Sequence, residues 1–199
     1  DKDRKAFSAT LLGLQEGDSE APSSPADAQA VLKKIDAVWK KLEPQAALIN
    51  QNQKLLISLN KSIDKISALS TDMQELTEQM ATNLLQGNAS NRLISQANQL
   101  VTLTQRIAKN ATALQAAETP NPSIFLQLEK DITSFRDIVG LLEEATLSGY
   151  ATELLTEVGD QTGDLVESVG TVLANTPELL KSKNASRDLF EKSELPALL

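Results

Sequence analysis

Residues 28 to 84 carry a seven-residue apolar repeat that runs for more than eight heptads. One column reads Ala28, Ile35, Leu42, Ile49, Leu56, Ile63, Ser70, Thr77 and Leu84. The other reads Val31, Val38, Gln45, Asn52, Leu59, Ile66, Met73 and Met80. A period of 3.5 held this long belongs to a helix that packs against other helices along its whole length in a left-handed sense. The repeat predicts one helix of roughly 57 residues, on the order of 85 Å at 1.5 Å per residue. Pro44 lies inside it and removes the bond to the carbonyl of Lys40, so a bend or local opening is expected there.

The rest of the chain reads the same way. Upstream, a short helix is expected to end near Gly13, followed by a loop from Gly17 to Pro25, with Ser23, Ser24 and Pro25 starting the long helix. Gly87 and Asn88 supply a stop, and Ser90 a cap for the next helix. Residues 93 to 114 return to strict heptads, with Leu93, Leu100, Ile107 and Leu114 in one column and Ala97, Thr104 and Ala111 in the other. Thr119 to Pro122 ends that helix. Another is expected from Ser123 to Glu144 on Phe125, Leu128, Ile132, Phe135, Val139 and Leu142, and a Ser148-Gly149 turn leads to a last one over 151 to 172. Nowhere does a strand-like alternation compete. With only four Phe, one Trp and one Tyr, the core has to come from aliphatic side chains, which suits helix-on-helix packing.

A weak internal repeat joins the two halves. Ala47 to Leu56 (ALINQNQKLL) aligns with Thr171 to Leu180 (TVLANTPELL), and Phe7 with Leu11, Leu12 and Gly13 echoes Phe135 with Ile138, Val139 and Gly140. The expected fold is therefore all-α: an elongated helical bundle of two stacked four-helix-type modules sharing long helices. Its division is 1–60 for a partial module, 61–175 for a second helical module, and 176–199 for a C-terminal helix. In this reading the first module lacks its first helix, and the chain is a segment excised from a larger protein, with Asp1 already inside a charged helical stretch.

Several functions are excluded by residue type. Zero Cys and zero His leave no thiol nucleophile, no Ser-His-Asp triad, and no thiolate or imidazole metal site. Glu143, Glu144 and Glu153 have no adjacent nucleophile, so neither an enzyme nor a cofactor is expected. A net charge of -8 and the absence of any basic block argue against nucleic acid, and no run approaches the ~18 apolar residues of a membrane-spanning helix. Gln45, Asn52, Ser70 and Thr77 stand at core positions, where polar residues either fix helix register or line an internal cavity. Trp39, beside the seam, reads as a packing anchor.

Candidate binding residues fall on the helix 93–114. Gln96, Gln99, Arg106 and Asn110 lie off the Leu/Ile seam on successive turns, where they could meet a small polar ligand or a partner subunit; the plainer reading is a solvated helix face. The run Gln105-Arg106-Ile107-Ala108-Lys109-Asn110-Ala111, with the Gln-rich segment before it, resembles the signature helix of the PilJ-type chemoreceptors of type IV pilus systems. The spacing of Phe7, Gly17-Asp18, Trp39 and Leu42, and later of Leu85-Gln86-Gly87 and Leu128 to Phe135, is similar along most of the chain. The resemblance implies the periplasmic input domain of an inner-membrane receptor, joined through flanking membrane helices to a HAMP unit and a methyl-accepting signalling rod, with 1–60 as its membrane-proximal module, 61–175 as its membrane-distal module and 176–199 leading towards the second membrane helix. It also implies a homodimer, control of pilus function and twitching motility, pilin or another periplasmic protein as partner, and signalling by helix shifts. Input domains of nitrate-type sensor histidine kinases are similar too, but the arginine of their I-N-K-A-G-x-L-R motif falls on Val101, which cannot hold an oxyanion with charge-assisted bonds. A purely structural helical scaffold is the third alternative.

Overall fold

In a computed structural model, residues 1–117, 121–147 and 149–193 are described. Those residues form seven α-helices, and no strand occurs among them: α1 (Lys2–Glu16), α2 (Ala26–Gln51), α3 (Gln53–Gln86), α4 (Asn91–Ala116), α5 (Pro122–Glu143), α6 (Tyr150–Ala174) and α7 (Thr176–Ser193). The chain is an all-α, bundle-like protein. Thr119 of the expected stop, Ser148 of the expected turn and the final residues 194–199 lie outside the described residues.

Two expectations are corrected. The long heptad stretch is two helices, because the helix lapses at Asn52, whose φ of -88° and ψ of 2° leave the helical region. Pro44, by contrast, sits inside an unbroken α2. The first helix also runs past Gly13 to Glu16 and stops at Gly17. Gly17 has φ 81° and ψ 163°, a conformation reserved for glycine, and its N–H donates to the Gly13 carbonyl at 2.8 Å. A Cβ at Gly17 would lie 2.8 Å from the Ser23 nitrogen.

The loop that follows is organised by Asp18, whose Oδ1 accepts from the backbone N–H groups of Glu20 at 2.8 Å and Ala21 at 2.9 Å. These two bonds, Glu20 first, hold the Asp18 carboxyl below its ordinary value. A folded-state value below the unfolded one means that the contribution is complete above the ordinary carboxylate range and is lost as pH falls through the folded value. The amide resonances of Glu20 and Ala21 are expected to titrate below the ordinary Asp range, and Asp18→Ala abolishes that titration. Titration at the ordinary value would contradict the turn.

The chain divides into two compact units, residues 57–177 and residues 1–56 with 178–199. In the first of these, α3 from Ile57 onward, α4, α5 and α6 close a ring of contacts. Gln115 of α4 donates to Asp64 of α3 at 2.9 Å, Arg106 of α4 pairs with Asp131 of α5, and α5 packs on α6. Lys65 of α3 pairs with Asp164 of α6 at 3.1 Å, and Tyr150 Oη donates to Gln79 at 2.9 Å, so α3 and α6 run antiparallel. The buried positions repeat with heptad spacing in every helix: Leu59, Ile63, Ile66, Ser70, Met73, Thr77, Met80 and Leu84 in α3, and Phe125, Leu128, Ile132, Phe135, Val139 and Leu142 in α5. Each helix thus buries one apolar stripe against its two neighbours, the packing of a four-helix bundle.

The other unit has a thinner core. α1 packs on α2 through Phe7 and Trp39, whose ring centroids are 4.5 Å apart, and Trp39 Nε1 donates to Ser8 Oγ at 2.8 Å. Trp39 is a packing anchor between these helices. Arg4 pairs with Glu43, and α7 contributes Ser182, which is buried and bonded to Asn52 Nδ2 at 3.0 Å. Among the described residues only Leu11, Leu42, Leu179 and Ala185 are buried hydrophobics here, whereas Phe7 and Leu14 are nearly half exposed.

Candidate functional site

α4 begins at Ser90, whose hydroxyl accepts from the Leu93 N–H at 3.4 Å. From that cap the heptad seam of Ala97, Leu100, Thr104, Ile107, Ala111 and Leu114 turns inward and is buried. Gln96, Gln99, Arg106 and Asn110 follow the seam's edge. They share one side of α4, but at 1.5 Å per residue Gln96 and Asn110 stand about 21 Å apart along the axis, too far for one small ligand to touch both. The structure does not bring the four together into one site.

Gln96 lines a shallow depression of about 360 Å³ with Ser90, Arg92, Leu93, Leu141, Glu144 and Ala145. Gln99 is exposed and Asn110 is half-buried. Arg106 reaches α5, where its Nη2 stands 2.7 Å from Asp131 Oδ1. Gln127 Nε2 donates to the same oxygen at 2.7 Å. The Asp131 side chain is 3% exposed and that of Arg106 46%, so one charge is buried and its partner sits at the rim. Asp131 Oδ2 is buried with no hydrogen-bond partner among the described residues. Arg106 is thus not a cation held ready for a ligand, because binding an anion would take a donor from a buried carboxylate.

Asp131 and Gln127 are the residues that sequence reasoning missed. The signal was present: Asp131 lies three residues after Leu128 and directly before Ile132, at the margin of the α5 apolar stripe, where a carboxylate needs a partner. Which cation supplies it depends on how α4 faces α5, and no spacing within one helix gives that.

Four of the polar core positions are satisfied by the chain itself. The hydroxyls of Thr77, Thr104 and Thr162 donate to the carbonyls four residues back, those of Met73, Leu100 and Val158, at 2.7 to 2.8 Å. Asn52 bonds Ser182, and Ser70 Oγ is buried without a partner among the described residues. Glu143, Glu144 and Glu153 are exposed. Among the described residues no three His, Cys, Asp or Glu side chains cluster as metal ligands would, and no helix is long and apolar enough to cross a membrane.

A further shallow groove of about 470 Å³ runs between α3 and the start of α6, lined by Glu75, Glu78, Gln79, Thr82 and Tyr150 among others. It and the depression at Gln96 lie towards the end of the bundle that carries the α3–α4 and α5–α6 connections. No protein-family model matches this chain, and comparison with curated proteins finds no match.

Proposed function

We propose that the chain is the periplasmic input domain of a PilJ-like chemoreceptor, acting in control of type IV pilus function and twitching motility. In this reading it is not an enzyme, it dimerises within the full receptor, and it lies outside the inner membrane that flanking helices of the receptor cross. The observation that carries the reading is a duplicated helical unit. α2 begins at Ala26 and α6 at Tyr150, 124 residues later, the same offset that aligns Ala47–Leu56 with Thr171–Leu180. α1 precedes α2 as α5 precedes α6. We read the two units as two modules of one repeated design, the thinner one leaving Phe7 and Leu14 nearly half exposed. In this reading the signal is a small axial shift or rotation of the helices. The run Gln105 to Ala111 lies on α4, with Ile107 and Ala111 in the core and Gln105 and Arg106 turned outward.

The shallow, open depressions near Gln96 and Tyr150 suit a protein surface better than a small solute, which is ordinarily enclosed over most of its area. The input is accordingly read as a periplasmic protein, pilin being the first to test. Calorimetry and thermal shift against purified pilin and a panel of small anions and amino acids test this. Binding of pilin without a response to the soluble compounds is the expected result. A bound small anion with no pilin binding would overturn it in favour of a solute sensor, and no binding by any of them would favour the scaffold.

A further inference from the structure

Two points interrupt the chain's long helical stretches, and they are related by the internal repeat. Asn52 separates α2 from α3, and Asn175 separates α6 from α7. Both fall inside the aligned segments 47–56 and 171–180, one residue apart in the alignment. They lie four and two residues before the places where the chain passes from one compact unit to the other, at Leu56/Ile57 and Pro177/Glu178.

The two interruptions differ in their chemistry. At Asn175, φ is -109° and ψ 14°, far from the ψ of about -42° of a helix. Its N–H donates to the Val172 carbonyl at 3.3 Å, three residues back, while its side-chain Nδ2 takes the Thr171 carbonyl at 2.8 Å, the acceptor that the N–H of a regular helix would use. The Thr176 hydroxyl donates to Val172 as well, at 3.2 Å. Pro177 has no N–H for the Leu173 carbonyl. Side chains thus stand in for rungs of the main chain. At Asn52 the N–H keeps its bond to Leu48 at 3.0 Å and the carbonyl accepts from Leu56 at 2.8 Å, but ψ has moved to 2°. Its side chain is turned to Ser182 Oγ on α7. An aliphatic residue is the heptad's own choice at this position, and Asn is among the poorer helix formers.

We propose that Asn52 and Asn175 are a built-in pair of weak points, at which each long helical stretch opens locally without unfolding on either side. At Asn175 a side-chain amide can follow a carbonyl through a change of angle that a rigid i to i-4 rung cannot, and at Asn52 ψ has already left the helical value, so the ladder opens at low cost at both. This inference does not depend on the receptor reading and holds equally for a scaffold.

Amide hydrogen exchange on the 199-residue chain tests it. Amides of Gln53 to Leu55 and of Thr176, Glu178 and Leu179 are expected to exchange at least about tenfold faster than those at the centres of α3 and α6. Asn52→Leu and Pro177→Ala, which restore a helix former and a main-chain donor, are expected to slow exchange at their own junctions by about tenfold. They should leave Met73 and Val158 unchanged. If the combined variant does not fold, Pro177→Ala alone decides, since it removes no observed bond. Exchange at the junctions as slow as at the helix centres overturns the proposal. So do folded variants that leave the junction rates as they were.

Discussion

Phe135→Ala is expected to destabilise the bundle of residues 57–177 by about 3–5 kcal/mol, the range for removing a fully buried aromatic side chain whose neighbours only partly close the cavity. Phe135 is 0% exposed, set in the α5 stripe between Ile132 and Val139. The loss has two parts: the transfer free energy of the ring, and dispersion contacts that a void too small for water cannot replace. A fall in melting temperature on the order of 10 °C or more follows for a bundle of this size. Phe7, its counterpart in the sequence repeat, is 45% exposed and touches Trp39 on one side only, so Phe7→Ala should cost roughly a third as much. Urea unfolding of both variants against the parent checks the pair. Equal losses would mean that the thinner unit is better packed than Leu11, Leu42, Leu179 and Ala185 alone indicate.

The second large effect belongs to the ion pair. Arg106→Ala leaves Asp131, 3% exposed, with Gln127 as its only donor. Stripping the partner from a fully buried pair costs about 3–5 kcal/mol, but Arg106 is 46% exposed and water can take part of its place, so about 2 kcal/mol is expected. Replacing both residues by apolar ones, Arg106→Met with Asp131→Leu, should come out near neutral, because the uncompensated charge goes with its partner. A double-mutant cycle by urea unfolding measures the coupling directly. A neutral Arg106→Ala would show that the pair contributes nothing to stability and would return Arg106 to the role of a cation free for a ligand. The result therefore bears on any binding assay with an Arg106 variant: a destabilised α4–α5 contact and a lost binding contact give the same signal unless stability is measured alongside.

Periodicity within one chain was enough to specify much of this protein. The heptads of α3, α4, α5 and α6 name the buried residues almost one for one, because a helix that must bury a single stripe repeats its apolar side chains at 3.5 residues whatever its neighbour is. Ser90 as a cap and the Gly17–Pro25 loop follow from side chains acting on their own backbone, and the absence of imidazole and thiol chemistry follows from composition alone. Tertiary structure decided the rest. The heptad runs through Asn52 with no sign of a break, since the break comes from a backbone angle and a bond to Ser182, 130 residues away. Pro44, the residue most expected to interrupt the helix, does not. The four polar residues of α4 share a face in any helical projection, yet only the packing of α5 against that face shows that Arg106 is committed to Asp131 and that Gln96 looks into a separate depression. Local rules choose which side of a helix is buried, and the partner helix chooses which of its charges are free.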